Sequence, residues 1–326
     1  MKGKVKIGLN MLLMIIVLGV IFYVMDNSLS DIFAQLMETS WLVLIAVIFF
    51  GVVYQFAEGR SIKEIARYFN KDFTTVDGFF TSCYVAFYRI ISFGTGTLLS
   101  EIYFYKKKGI PVSKSVGITA LHMIMYKAAV IFLAIIGLII QFSLFYENAP
   151  KMIPFILAGV ILTLVIIAAL LILSSSLKLQ VLLVKFANRW FKRPKLRDWV
   201  DNCNLQIYSL RAAVQTITQD RSALLRIFSW NVFKLLFWYI IPYIVLVENH
   251  PNIDLLLVMS FIGPFEFVYL LLFKPLVGNV DAVASVLLYR FGSFVLPFLI
   301  GLVYVAIEKR KSLRIEIEEI KRQTDE

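Results

Sequence analysis

An all-α polytopic membrane protein is the fold class this sequence predicts, on three observations. Of its residues, 60% are hydrophobic and only 17% are charged, far from the composition of soluble domains. The apolar residues gather in runs long enough to cross a bilayer as helices, which takes about 20 residues apiece. The cations behind the net charge of +11 sit in short segments beside those runs, as cytoplasmic loops facing anionic lipid do. About six spanning helices and two re-entrant helical hairpins account for the whole pattern.

Lys2, Lys4 and Lys6 precede the first run, residues 9–25, and place the N-terminus in the cytoplasm by the positive-inside rule. No small-residue cleavage site follows Tyr23, Val24 and Met25, so the run reads as an uncleaved first helix. The next loop carries Asp26, Asp31 and Glu38 without a cation, which suits the outer side. Residues 41–57 return inward to a loop with Arg60, Lys63, Arg67 and Lys71, matched by Glu58, Glu64, Asp72 and Asp77. If residues 79–98 then crossed the membrane, Lys106, Lys107, Lys108 and Lys114 would fall outside, against the same rule. A re-entrant hairpin avoids this. Half-helices over 79–90 and 97–106 enter from the cytoplasm and turn near Gly94 and Gly96, where the missing side chain permits left-handed or close backbone.

Residues 116–142 span outward with Lys127 in their interior, and 152–173 return to a basic cytoplasmic loop, 174–222. Within that loop, residues 178–193 mix aromatic, apolar and cationic side chains at helical spacing, the pattern of an interfacial helix. Residues 224–247 exit to a cation-free loop, and the apolar run 255–273 is interrupted at Gly263 and Pro264 beside Glu266. A second re-entrant hairpin, entering from the outside, brings the last helix, 282–307, to a cytoplasmic charged tail, 308–326, with Lys309, Arg310 and Lys311. Each half of a single membrane domain (1–148 and 149–307) thus reads span, span, hairpin, span, and three crossings apiece invert one half relative to the other. Hydropathy and charge carry this repeat; the halves show no clear residue-level similarity. In transporters, interrupted segments matched across two inverted halves point to a substrate site at the midplane.

Other chemistries lack their apparatus. Cys83 and Cys203 make neither a disulfide framework nor a metal site, and His122 and His250 lie far apart. No HExxH, CxxC or Walker-type glycine loop occurs, so no metal or other cofactor is indicated, and nucleic acid is not an expected partner. The candidates are the ionisable residues inside apolar segments. Arg89, Lys127 and Arg290 suit a lipid phosphate, and Glu101 and Glu266 suit an amine headgroup or a counter-charge. Plainer readings stand beside these: Arg89 or Lys127 paired with Glu101, Glu266 neutralising Arg290 or Lys234, and His122 satisfied within its helix.

Two segments carry a family likeness: GTGTLLSEIYFYKKKGIPVSKSVGI (94–118) and FEFVYLLLFKPLVGNVDAVASVLLYRFGSFVLPFLIGL (265–302). With the glycine turn before Glu101, the Lys-Gly-Ile-Pro connection at Lys108 to Pro111, and Leu288, Tyr289, Arg290, Pro297 and Gly301, the chain resembles the lysylphosphatidylglycerol synthase transmembrane family over nearly its whole length. The resemblance implies a lipid-handling, flippase-type membrane domain with re-entrant helices. In bifunctional members a soluble synthase domain transfers lysine from tRNA to phosphatidylglycerol; the short tail after residue 307 leaves no room for one, so a separate lipid-modifying enzyme is a possible partner. Two departures stand out. Of the family's Pro-Gly-Gly-x-Gly-x-x-Glu turn the sequence keeps only Gly263, Pro264 and Glu266, and His122 and Lys127 stand where members often carry an acidic and arginine pair.

The expected function is that of a cell-membrane transporter moving an anionic or aminoacylated phospholipid between leaflets. A component of lipid aminoacylation, of the phosphatidylglycerol lysyltransferase type, or of envelope glycolipid synthesis is the alternative, against which stands the lack of a recognisable nucleophile or base. A structural partner or ion channel is a third reading, with no distinguishing feature.

Overall fold

The computed structural model describes residues 37–325 except 93, 95, 141, 144–145, 147–151, 176–180, 183–184, 186–193 and 262–265. The span expected over 9–25, the turn residues Gly263 and Pro264, and most of the interfacial helix expected over 178–193 lie outside the described residues. The described elements are all helical. Among the described residues, four helices are long and apolar enough to cross a membrane: Trp41–Ala66, Val112–Ile140, Arg221–Asn249 and Asn279–Lys311. The protein is therefore all-α and of multi-pass membrane character.

Helix α1 (Trp41–Ala66) starts where the Ser40 hydroxyl accepts a hydrogen bond from the Val43 N–H. Hydropathy ends this span at residue 57, but the helix continues to Ala66. Arg60 and Arg67 each approach Glu64 to 3.8 Å across one turn, an arrangement that favours helix on a surface no longer apolar. Glu58 consequently lies inside a helix and not in a loop.

The first interrupted segment is a helical hairpin. Helix α2 (Thr75–Ile91) opens on a capping box in which Thr74 and Asp77 satisfy each other's backbone N–H groups. Its end turns at Gly94, whose φ of +82° is a conformation that glycine adopts without strain, and whose N–H donates to the Arg89 carbonyl at 2.7 Å. Helix α3 (Thr97–Lys107) then returns. It stops in a Schellman cap: Gly109 N–H donates to Lys106 O and Ile110 N–H to Tyr105 O, both at 3.0 Å, while the Ile110 side chain is buried. Pro111 follows and starts α4 (Val112–Ile140). That is the physical content of the Lys-Gly-Ile-Pro connection. Lys108 pairs with Asp77 at 2.5 Å, and Asn70 donates to the Lys108 carbonyl at 2.7 Å. The hairpin therefore leaves and returns on one side of the molecule.

Helix α5 (Met152–Ser175) follows, and then the segment read as a basic loop contains a helix of 25 residues, α6 (Pro194–Thr218). Its first residue is proline, which suits the first helical position. Hydropathy overlooks α6 because it is polar on average; its buried Leu210, Ala213 and Ile217 form only a narrow stripe. The backbone of α6 approaches Gly117 of α4 so closely that a Cβ there would lie 2.2 Å from Ser209 O.

Helix α7 (Arg221–Asn249) runs antiparallel to α1. Arg226 meets Glu64 at 3.2 Å, Asn231 donates to Ser61 at 2.7 Å, Lys234 to Glu58 at 2.5 Å, and Glu248 accepts from the Ser40 N–H at 3.1 Å. The second interrupted run forms α8 (Leu255–Phe261) and α9 (Glu266–Val277), followed by α10 (Asn279–Arg290). His250, after α7, holds Asp281 of α10 at 2.7 Å, and Asn249 donates to the same carboxylate at 3.1 Å. These partners stand 31 residues apart, the separation of Asp77 and Lys108. Two clasps thus close two interrupted segments on opposite sides, since 26 residues of α1, about 39 Å of helix, separate Ser40 from Ala66.

A π-helical turn, Phe291–Val295, links α10 to α11 (Leu296–Asp325), so the last helix starts before residue 282 and carries on through the charged tail. Glycines let α1, α2 and α11 meet backbone to backbone. A Cβ on Gly78 would sit 2.1 Å from Gly59 O, and one on Gly301 2.1 Å from Cys83 O, the close approach that small residues give membrane helices.

At the start of α7, Asp220 caps the Ala223 N–H and accepts bonds from Ser222 and Tyr68. The Ser222 and Tyr68 hydroxyls and the Ala223 N–H hold its carboxyl well below the usual carboxylate range. A depressed folded-state value contributes stability at neutral pH that is lost as pH falls below the ordinary aspartate range near 4. Asp220→Asn is therefore expected to lower the melting temperature by a few degrees at pH 7 and by less at about pH 3, measured by thermal unfolding in detergent. An equal gap at both pH values would contradict the assignment.

Candidate functional site

Polar residues recur at helical spacing along facing stripes of α1 and α7. Tyr54, Glu58 and Ser61 point from α1, and Trp238, Lys234 and Asn231 answer them in reverse order from α7. Residues three or four apart share a helix face, so antiparallel packing joins these stripes rung by rung. Lys234 is 2% exposed and sits 4.2 Å from the Tyr126 ring centroid and 5.8 Å from that of Tyr54. A buried ammonium in this position is held by its carboxylate and by the faces of two aromatic rings.

Two more helices complete the lower layer. His122, one turn before Tyr126 on α4, brings its Nε2 to 3.4 Å from the Glu58 carboxylate. Glu101 of the hairpin is 8% exposed and accepts a bond from the Tyr105 hydroxyl at 3.1 Å. His122 and Glu58 both act on it electrostatically. Above lie the phenols of Tyr54 and Tyr126, and Tyr289 of α10, stacked on Trp238 at 5.2 Å.

Arg89 stands in the last turn of α2 and Arg290 in the last turn of α10. Both lie within electrostatic reach of Tyr54 and Tyr126. Both side chains are exposed on the protein surface. The hairpin tip and the residue before the π-helical turn, far apart in sequence, thus bring two guanidinium groups to one pair of tyrosines. Such groups bind phosphate oxygens in a fork geometry.

Of the sequence candidates, Arg89, Glu101 and Arg290 gather at this centre. Lys127 stays exposed, its ammonium 5.7 Å from the ring of adjacent Tyr126. Glu266 opens α9. Lys234, for which Glu266 was a candidate partner, pairs with Glu58, and Glu101 accepts a hydrogen bond from Tyr105. Sequence reasoning missed Glu58 by ending the span at 57, and it passed over His122 and the tyrosines. The signal that finds them is the polar stripe Tyr54, Glu58, Ser61, at intervals of three and four within an apolar helix.

No family model matches the chain, and no curated protein matches it.

Proposed function

We propose that the protein is a lipid transporter of the cell membrane that moves an anionic or aminoacylated phospholipid between leaflets. The observation that carries this reading is that Arg89, near the tip of a hairpin clasped on one side, and Arg290 both lie within electrostatic reach of Tyr54 and Tyr126. In this proposal the two clasped segments are re-entrant hairpins of an inverted repeat, opening to opposite leaflets, with both chain termini cytoplasmic. The phosphate seats between the guanidinium groups while the acyl chains remain in the bilayer. Fixed charge at that depth offsets the cost of taking an anion out of water, and rocking of the halves exposes the site alternately.

Purified protein in liposomes is expected to exchange a fluorescent phosphatidylglycerol between leaflets, read by quenching of the outer leaflet. Arg89→Ala and Arg290→Ala are each expected to slow exchange roughly tenfold or more, the loss of one charge-assisted bond, with unchanged elution from a sizing column. Failure to move anionic, aminoacylated and glycosylated lipids alike would sink the reading. The hairpin has its own test. Single cysteines at positions 77 and 108 are expected to react with an impermeant maleimide from the same side of intact vesicles; labelling from opposite sides removes the re-entrant arrangement.

A further inference from the structure

Helix α11 packs on one side and leaves an exposed apolar seam on the other. Gly301 meets the Cys83 backbone, Tyr304 stacks on Phe80, and Glu308 pairs with Lys107. These three follow one another at intervals of three and four, so they share one face of the helix. Leu299, Val303, Ala306 and Arg310 repeat at the same intervals on the opposite face. All four are exposed, Val303 at 57% and Leu299 at 42%.

Within the bilayer alone this would be a stripe facing lipid, but the seam continues past the apolar stretch. Helix α11 runs unbroken to Asp325, and beyond Glu308 its apolar residues are Leu313, Ile315, Ile317 and Ile320. Leu313, Ile317 and Ile320 prolong the spacing; Ile315 falls on the other face. From Leu299 to Ile320 the intervals alternate strictly between four and three, which makes three heptads of a coiled-coil seam. Its last three positions have no lipid beside them, and so short a helical extension is marginal in water by itself.

The flanking residues decide what covers the seam. Two copies inserted in one membrane share an orientation, so their seams meet in parallel. A parallel pair sets each flanking residue against the one five positions on in the other copy. Leu302 then meets Ile307 of the second copy, both exposed and apolar, and Glu316 meets Lys321 of the second copy, opposite in charge. Symmetry makes each of these pairs twice. Lys309 and Arg314 also fall opposite each other, and with Arg310 they stand where the apolar stretch ends, among anionic headgroups that neutralise them.

We infer that α11 is a dimerisation helix, its exposed seam pairing with the same seam of a second copy of this chain, apolar within the membrane and a short parallel coiled coil beyond it. The inference goes beyond the transporter reading and does not depend on it.

Disulfide formation in native membranes tests the seam. In a full-length Cys203→Ser background, Leu313→Cys and Ile320→Cys are each expected to give a cross-linked dimer on oxidation with copper phenanthroline. Ile315→Cys and Glu318→Cys, off the seam, are expected to give at least severalfold less. Cys83 is buried, and the background without an added cysteine is the control. In detergent the background protein is expected to sediment as a dimer. Glu316→Lys sets lysine against lysine twice and is expected to weaken association at least severalfold, and Lys321→Glu in the same chain is expected to restore it. A monomer in detergent that also fails to cross-link in membranes overturns the inference. So do equal cross-linking at 313 and 315, a cross-link to a protein of different mass, and a charge reversal that leaves association unchanged or that the second reversal does not restore.

Discussion

Lys234→Met is expected to destabilise the protein by about 3–5 kcal/mol, the typical effect of removing one partner from a buried ion pair. The ammonium is 2% exposed, bonded to Glu58 and set against two tyrosine rings. Methionine nearly fills the volume but leaves the Glu58 carboxylate facing only His122. The double variant Glu58→Gln with Lys234→Met removes both charges and is expected to recover more than half of the loss. Thermal unfolding in detergent measures both. A single variant that melts within two degrees of the parent shows that the pair carries little of the fold. A double variant no better than the single shows that the loss comes from packing and not from the orphaned charge.

Gly301→Ala is the second change with a large expected effect, about 1–3 kcal/mol from overpacking alone. The added methyl would lie 2.1 Å from the Cys83 carbonyl oxygen, and a backbone atom within a helix does not step aside as a flexible side chain does. Relief requires α2 and α11 to separate, which loosens Phe87 from Phe298, stacked at 5.7 Å, and Phe80 from Tyr304 at 4.7 Å. Gly159→Ala in α5 is the control. A Cβ there meets nothing within 4 Å, so alanine is expected to be neutral or to stabilise by up to about 1 kcal/mol through helix propensity. If both variants melt alike, the close approach of α2 and α11 is not a constraint.

Four of the expected spans, over 41–57, 116–142, 224–247 and 282–307, and the helix pair of the first interrupted run were legible in the sequence because lipid imposes apolar length. The half-helices expected over 79–90 and 97–106 correspond to α2 and α3, and Gly94 supplies the left-handed turn between them. Helix ends were less legible. Hydropathy reports where apolar surface stops, whereas Glu64, with Arg60 and Arg67 beside it, keeps α1 helical beyond that point. Helix α6 escaped notice for a related reason: one narrow buried stripe does not raise the average of a polar segment. In the site, Arg89 and Arg290 stand out as charges within apolar runs. Glu58 does not, because it lies among other charges in the sequence and is drawn inward only by Lys234 and His122, 176 and 64 positions away.

The clasp of Asp77 on Lys108 also bears on the order in which the protein is assembled. In the re-entrant reading proposed above, a segment whose ends stay together sends no hydrophilic loop across the bilayer, and only its tip, with Arg89 and the turn at Gly94, moves inward. Backbone that is not helical needs protein around it at such depth, and the groups that receive this tip arrive at different times. Tyr54 precedes it in synthesis, whereas Phe298, Gly301 and Tyr304 emerge about 200 residues after it. The hairpin therefore completes its seating last, when α11 packs against α2. In a Cys203→Ser background, a chain truncated before Asn279 is expected to leave Cys83, buried against Gly301 in the full-length protein, reactive to a maleimide that the full-length protein resists.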